Sequence, residues 1–175
     1  MKRLIFDKLL NWKNSINRKP LIVYGARQIG KTYTILDFGK TEYDNVLYCN
    51  FENDKELHKL FDRNLNPERI IEALKVYYSC SVIKGKTLIF FDEIQACEAA
   101  LTSLKYFNEE ANDYHIIACI FKPQNRFCYK SQRQQYIIHI TVAVSAEHIL
   151  PYQICATAHQ SRSIKNKCKN TSNRF

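Results

Sequence analysis

An α/β domain with a mostly parallel sheet is the fold class this sequence predicts, and three observations predict it. Short apolar runs near 21–24, 45–51, 87–91 and 115–121 alternate with stretches whose apolar residues recur every three or four positions. That alternation is the pattern of βαβ units, whose crossovers are right-handed and whose strands lie parallel. The first run leads straight into a loop bracketed by Gly25 and Gly30, and the loop opens a helix. Finally, 46% of the residues are hydrophobic and 25% charged, the balance of a globular protein, and 175 residues suffice for one such domain rather than two.

The elements follow in chain order. Leu4, Ile5, Leu9, Leu10, Trp12 and Ile16 fall near helical spacing, so residues 3–16 read as an amphipathic helix packed beside the sheet. Asn17-Arg18-Lys19-Pro20 ends it, and Leu21 to Tyr24 is a buried-type strand. The helix from Gly30 is expected to stop near Gly39, because glycine is the usual residue just past a helix end. Asn45 to Phe51 reads as the second strand, followed by the polar turn Glu52-Asn53-Asp54 and a short helix through Leu57, Leu60 and Phe61. Asn66 as cap, Pro67 at the first helical position and Glu68 in the first turn start another helix. Its apolar face comprises Ile70, Ile71, Leu74 and Tyr77 or Tyr78. The uninterrupted run Thr87 to Phe91 reads as a central parallel strand ending in Asp92-Glu93. Leu101, Leu104 and Phe107 mark one more helix, and His115 to Phe121 one more strand. Four strands are thus expected.

The loop carries the chemistry. Gly25-Ala26-Arg27-Gln28-Ile29-Gly30-Lys31-Thr32 fits G-x-x-x-x-G-K-[ST] between a strand and a helix. Glycines let backbone N–H groups turn toward an anion, and the helix opening at Gly30 directs its positive end to the same place. These eight residues and the following Tyr33 are expected to contact a nucleotide. Lys31 would meet its β- and γ-phosphates, and Thr32 would hold Mg²⁺. Hydrolysis needs two further groups, a carboxylate for the metal and one for water. Asp92 and Glu93 stand at the C-terminal end of an apolar strand, where open α/β sheets place their ligands. Asp92 is expected to complete the Mg²⁺ shell and Glu93 to polarise water, so Lys31 and Glu93 are the catalytic candidates. ATP and Mg²⁺ are the expected cofactors.

Other readings are narrowed by what the sequence contains. No apolar run approaches the roughly 18 residues of a membrane span. Charge returns at Asp7 and Lys8, so the N-terminus lacks the apolar centre of a signal peptide, and a cytoplasmic address is expected. Seven cysteines form no C-x-x-C pair and five histidines no H-E-x-x-H, so no zinc site is expected. The formal charge of +9 is uneven: up to Ile120 there are 17 Lys and Arg against 16 Asp and Glu, and from Phe121 onward 9 against 1. A basic segment with Tyr, Phe and His among its cations offers a route to nucleic acid through phosphate contacts and stacking. A P-loop kinase acting on a small molecule would need a lid, with Arg63 and Arg69 as its candidate arginines. A GTPase would need Asn-Lys-x-Asp, and Asn166-Lys167-Cys168-Lys169 lacks the carboxylate. The main alternative to an ATPase is a nucleotide-binding switch or DNA-associated regulator with little turnover.

Three segments together carry a family resemblance: residues 25–32, Asn-Phe-Glu-Asn-Asp at 50–54 and Phe-Phe-Asp-Glu-Ile-Gln at 90–95. They resemble P-loop ATPases of the AAA+ class, and within it the prokaryotic AAA domain proteins that carry a DUF4143-type C-terminal domain. The resemblance runs from about residue 1 to about Cys119. It implies a three-layer P-loop NTPase sandwich, with 25–32 as Walker A and Asp92-Glu93 as Walker B, the glutamate being the catalytic base. Gln95 matches the family's Asp-Glu-Ile-Gln, and a homo-oligomer is among the partners implied. Family members continue the last strand into Gly-Ser, whose polar residue serves as sensor 1, and then into a helical lid. Here Ile120-Phe121-Lys122-Pro123 stands in that place. Two units are therefore expected, an ATPase core at 1–120 and a basic tail at 121–175. The tail has no glycine, one acidic residue (Glu147) and no clear periodicity beyond Tyr136 to Val144. So abrupt a change in mid-strand leads us to expect a truncated or frameshifted gene product, a sheet incomplete at its C-terminal side, and slow turnover.

Overall fold

A computed structural model describes residues 2–121 and 138–142. The strands are β1 (Leu21–Gly25), β2 (Asn45–Asn50), β3 (Thr87–Asp92), β4 (His115–Phe121) and β5 (Ile138–Val142). The helices are α1 (Lys2–Lys13), α2 (Lys31–Glu42), α3 (Glu56–Lys59), α4 (Pro67–Tyr78) and α5 (Glu98–Glu110), with a 3-10 turn at Ile94–Ala96. The strands form one sheet in the order β2-β3-β4-β1-β5, with every pairing parallel. The α/β class and parallel sheet are those expected.

Alternation along β1 to β4 gives the sheet two apolar faces. On one face Ile22, Cys49, Phe91 and Ile116 pack with Ile70 and Leu74 of α4 and Leu104 and Phe107 of α5. On the other, Val23, Phe90 and Ile117 pack with Leu9 and Trp12 of α1 and Ile35 and Phe38 of α2. Helices thus cover both sides of the sheet, and all six residues of β3 are buried between them.

Three details differ from the sequence reading. α1 ends at Lys13 rather than near Ile16, which is 98% exposed. The Trp12 Nε1–H donates to the Lys19 carbonyl at 2.7 Å and turns the chain back toward β1. α2 runs through Gly39 and stops only at Tyr43, whose N–H donates to the Gly39 carbonyl. The glycine is there for close approach: a Cβ would lie 2.6 Å from Val46 Cγ2 and 2.9 Å from Leu88 Cδ2. Absence of a side chain lets the helix settle onto β2 and β3, and packing outweighs the tendency of glycine to end a helix. The third difference is β5, which comes from the one periodic stretch of the basic segment. It lies beside β1 with Leu21 opposite Ile138 and Gly25 opposite Val142, so the sheet has five strands rather than four. Apart from Phe121 and β5, the expectations for residues 121–175 fall outside the described residues.

α4 begins as expected, with the Arg69 N–H donating to Asn66 Oδ1 at 3.0 Å. At the opposite end of the sheet from the loop, His115 Nδ1 lies 2.8 Å from the Tyr43 hydroxyl. Burial, with the charges of Arg18 and Lys13 adding to it, pushes the His115 pKa down to about 4.

Candidate functional site

β1 ends at Gly25 and α2 begins at Lys31, so the phosphate-loop motif occupies the turn between them. Within it Gln28 (φ +62) and Gly30 (φ +81) are left-handed. Interspersing left-handed residues among right-handed ones turns successive N–H groups toward one side, the geometry of an anion-binding nest. Lys31 is 8% exposed. Its Nζ donates to the carbonyls of Gly25 (2.9 Å) and Ala26 (2.6 Å), which keeps the ammonium inside the curve of the loop.

The loop meets the end of β3 through one hydrogen bond. Thr32 Oγ1 donates to Asp92 Oδ2 at 2.9 Å, although the residues lie 60 apart in sequence. Asp92 is 3% exposed, so its carboxylate depends on partners. The Tyr48 hydroxyl also donates to Oδ2, at 3.0 Å, and the Glu93 N–H donates to Oδ1 at 3.2 Å. Asn50 Nδ2 in turn donates to the Tyr48 oxygen at 3.1 Å. Burial raises the Tyr48 pKa; Asn50 opposes that shift and the Asp92 carboxylate adds to it, leaving the phenol protonated and able to donate. A hydroxyl and a carboxylate oxygen 2.9 Å apart are hard donors of the kind Mg²⁺ takes one or two of while keeping several waters.

Glu93 is the first residue past β3 and has φ +51 and ψ 40, left-handed without being glycine. Such outliers concentrate at functional sites. Its Oε2 accepts a hydrogen bond from Gln95 Nε2, giving the glutamine of the Asp-Glu-Ile-Gln segment a partner. Arg27 reaches from the loop to the exit of β2, where its Nη2 lies 2.6 Å from Glu52 Oε1, and its guanidinium stacks 5.0 Å over the Phe121 ring at the end of β4. Arg27, Gln28, Gly30, Lys31, Thr32, Tyr33, Glu52 and Glu93 line an open cleft of about 470 Å³. That volume is typical of small-molecule sites.

Most residues singled out in the sequence converge here. Lys31, Thr32, Asp92 and Glu93 are brought together, and Arg27, Gln28, Gly30 and Tyr33 form the wall. Gly25 and Ala26 contribute the carbonyls that hold Lys31. Ile29 instead packs against the apolar core under α1 and α2. The sequence reading gave no role in the site to Tyr48, Asn50, Glu52 or Phe121, although Asn50 and Glu52 lie in the 50–54 segment of the resemblance and Phe121 at the junction after the last strand. The sequence signal for the first two was partial: residues i and i+2 of a strand share a face, which puts Tyr48 and Asn50 together, but their place beside Asp92 comes from the β2–β3 register. No helix among the described residues is long and apolar enough to cross a membrane.

A family model described as AAA domain matches residues 17–119. No protein of curated function matches the chain. Among solved structures it is similar to AMPPCP-bound DnaA from Aquifex aeolicus, with 15% identity and a TM-score of 0.46 over 79% of this chain and 45% of that one. It is also similar to C. elegans PCH-2, with 11% identity and a TM-score of 0.41 over 80% of this chain and 39% of that one. The chain therefore spans less than half the length of either. With more than half of its residues matched, the chain belongs to the AAA domain family, and its core is an AAA-type P-loop ATPase domain.

Proposed function

We propose that the cleft binds ATP with Mg²⁺ and that the chain hydrolyses ATP to ADP and phosphate, using turnover to drive a conformational output. The observation that carries this reading is the Thr32–Asp92 hydrogen bond, which sets a buried carboxylate against Thr32, a residue that lines the cleft together with Lys31. In this reading Lys31 exchanges the Gly25 and Ala26 carbonyls for β- and γ-phosphate oxygens and stabilises the charge that develops on them. The loop from Gly25 to Thr32 and Tyr33 surround the phosphates. Thr32 and Asp92 hold Mg²⁺, which when bound neutralises charge on the phosphate oxygens. Glu93, on the cleft wall, orients water and takes up its proton. Slow turnover belongs to the reading, because β4 presents Phe121 against Arg27 at this edge rather than a polar side chain.

Thermal unfolding with ATP or GTP, in Mg²⁺ or in EDTA, tests the proposal. A ligand at about 100 times its Kd adds roughly 2.7 kcal/mol to stability. ATP with Mg²⁺ should stabilise the chain and GTP should do so less, while Lys31→Ala should lose the response. Equal ATP affinity in wild type and Lys31→Ala would overturn the assignment.

A further inference from the structure

We propose that Tyr48 is a positioning residue of the metal site, its hydroxyl holding the Asp92 carboxylate in the orientation that Mg²⁺ binding requires. The inference rests on the reading of Asp92 as a metal ligand and adds a residue from a different strand.

The case is built from the strand register upward. Tyr48 stands opposite Phe90 and Asn50 opposite Asp92, so Tyr48 is a diagonal neighbour of Asp92 on one face of the sheet. Its ring lies 5.3 Å from that of Phe90, which fixes where the hydroxyl can sit. Asn50 Nδ2 donates to the phenolic oxygen, so the single hydroxyl hydrogen is left for Asp92 Oδ2, 3.0 Å away. Three donors therefore converge on the carboxylate: Thr32 and Tyr48 on Oδ2 and the Glu93 N–H on Oδ1. Thr32 would share its oxygen between this hydrogen bond and the metal, since a hydroxyl can donate its hydrogen while a lone pair ligates. Tyr48 is the side-chain donor to Oδ2 that is not itself a candidate ligand.

Orientation matters for this ion. Mg²⁺ demands near-ideal octahedral geometry and tolerates misplaced ligands poorly. Removing an outer partner of a metal ligand typically costs 10–100-fold in metal affinity. A merely structural tyrosine would act through its ring, which Tyr48→Phe keeps against Phe90.

The experiment measures ATP affinity of the full chain by calorimetry, in excess Mg²⁺ and in EDTA, and takes the ratio of the two. The ratio isolates the metal's contribution from ATP binding as such. In Tyr48→Phe the ratio should fall by about tenfold or more, with ATP affinity in EDTA unchanged and only a small drop in the ligand-free unfolding temperature from the lost hydrogen bonds. Tyr48→Leu should show the same fall together with a larger drop in unfolding temperature, since it also loses the ring. A wild-type ratio above one with the same ratio in Tyr48→Phe would overturn the role of Tyr48 alone. A wild-type ratio of one, with ATP bound equally well in EDTA, would overturn the assignment of Asp92 and the positioning role with it.

Discussion

Glu93 offers a test in which conformational strain and chemistry can be separated at one position. Its φ of +51 and ψ of 40 place a residue with a Cβ in the left-handed region, at a cost of about 1–2 kcal/mol. Glycine adopts this conformation freely but gives the unfolded chain extra freedom, which takes back about 0.4–1 kcal/mol. Glu93→Ala and Glu93→Gly both remove the carboxylate and its contact with Gln95. They differ in the Cβ alone. Glu93→Gly should therefore be more stable than Glu93→Ala by about 1 kcal/mol, or about 2–4 °C in unfolding temperature for a chain of this size. Calorimetric scans of both variants in EDTA read this difference without involving the nucleotide, while phosphate release should be lost in both. An alanine variant as stable as the glycine variant, or more so, would mean that the left-handed backbone carries no strain and that the link drawn here between strain and site is wrong.

Other outcomes follow from the same geometry. Glu93→Gln keeps the side-chain volume but removes the proton acceptor; it should bind ATP like wild type and lose phosphate release by about 100-fold or more, and undiminished turnover would remove Glu93 from the mechanism. Gly39→Ala places a methyl 2.6 Å from Val46 Cγ2, and overpacking of about 1–3 kcal/mol should exceed the roughly 1 kcal/mol gain in helix propensity. Its urea midpoint should fall, and a rise would show that α2 does not rest on β2 as described. His115, with its pKa pushed down from 6.5 to about 4, stays neutral in the fold while the unfolded chain takes up a proton below about pH 6.5. The stability it contributes is complete above that value and is lost as pH falls toward 4. His115→Gln should flatten this part of the urea-midpoint profile, and a profile as steep as wild type would locate the acid sensitivity in other groups.

Much of this was legible in the sequence because the strongest signals are local. A glycine-bracketed loop between a strand and a helix, and an acidic pair after an apolar run, each need only a few consecutive residues, and they mark Lys31, Thr32, Asp92 and Glu93. Asn66-Pro67-Glu68 is equally local, and α4 starts where it says. What escaped depends on pairing between distant segments. The place of Tyr48 beside Asp92 follows from the β2–β3 register, and that of Phe121 beside Arg27 from the β1–β4 register. Gly39 misled for the same reason: its lack of a side chain answers to Val46 and Leu88 rather than to the end of its own helix. β5 was visible as a periodic stretch, but nothing within Ile138 to Val142 announces a partner that lies more than a hundred residues earlier.

The position of β5 bears on where this chain can be cut. Residues 17–119 are the part that the family model recognises, which invites a boundary there or just after Phe121. Yet β1, the strand that delivers the phosphate loop, has β4 along one side and β5 along the other. A protein ended at Phe121 would present the whole length of Leu21 to Gly25 as an open, apolar strand edge, the kind of surface that recruits other chains and aggregates. The stretch that identifies the family is thus shorter than the stretch that encloses the strand leading into its phosphate loop.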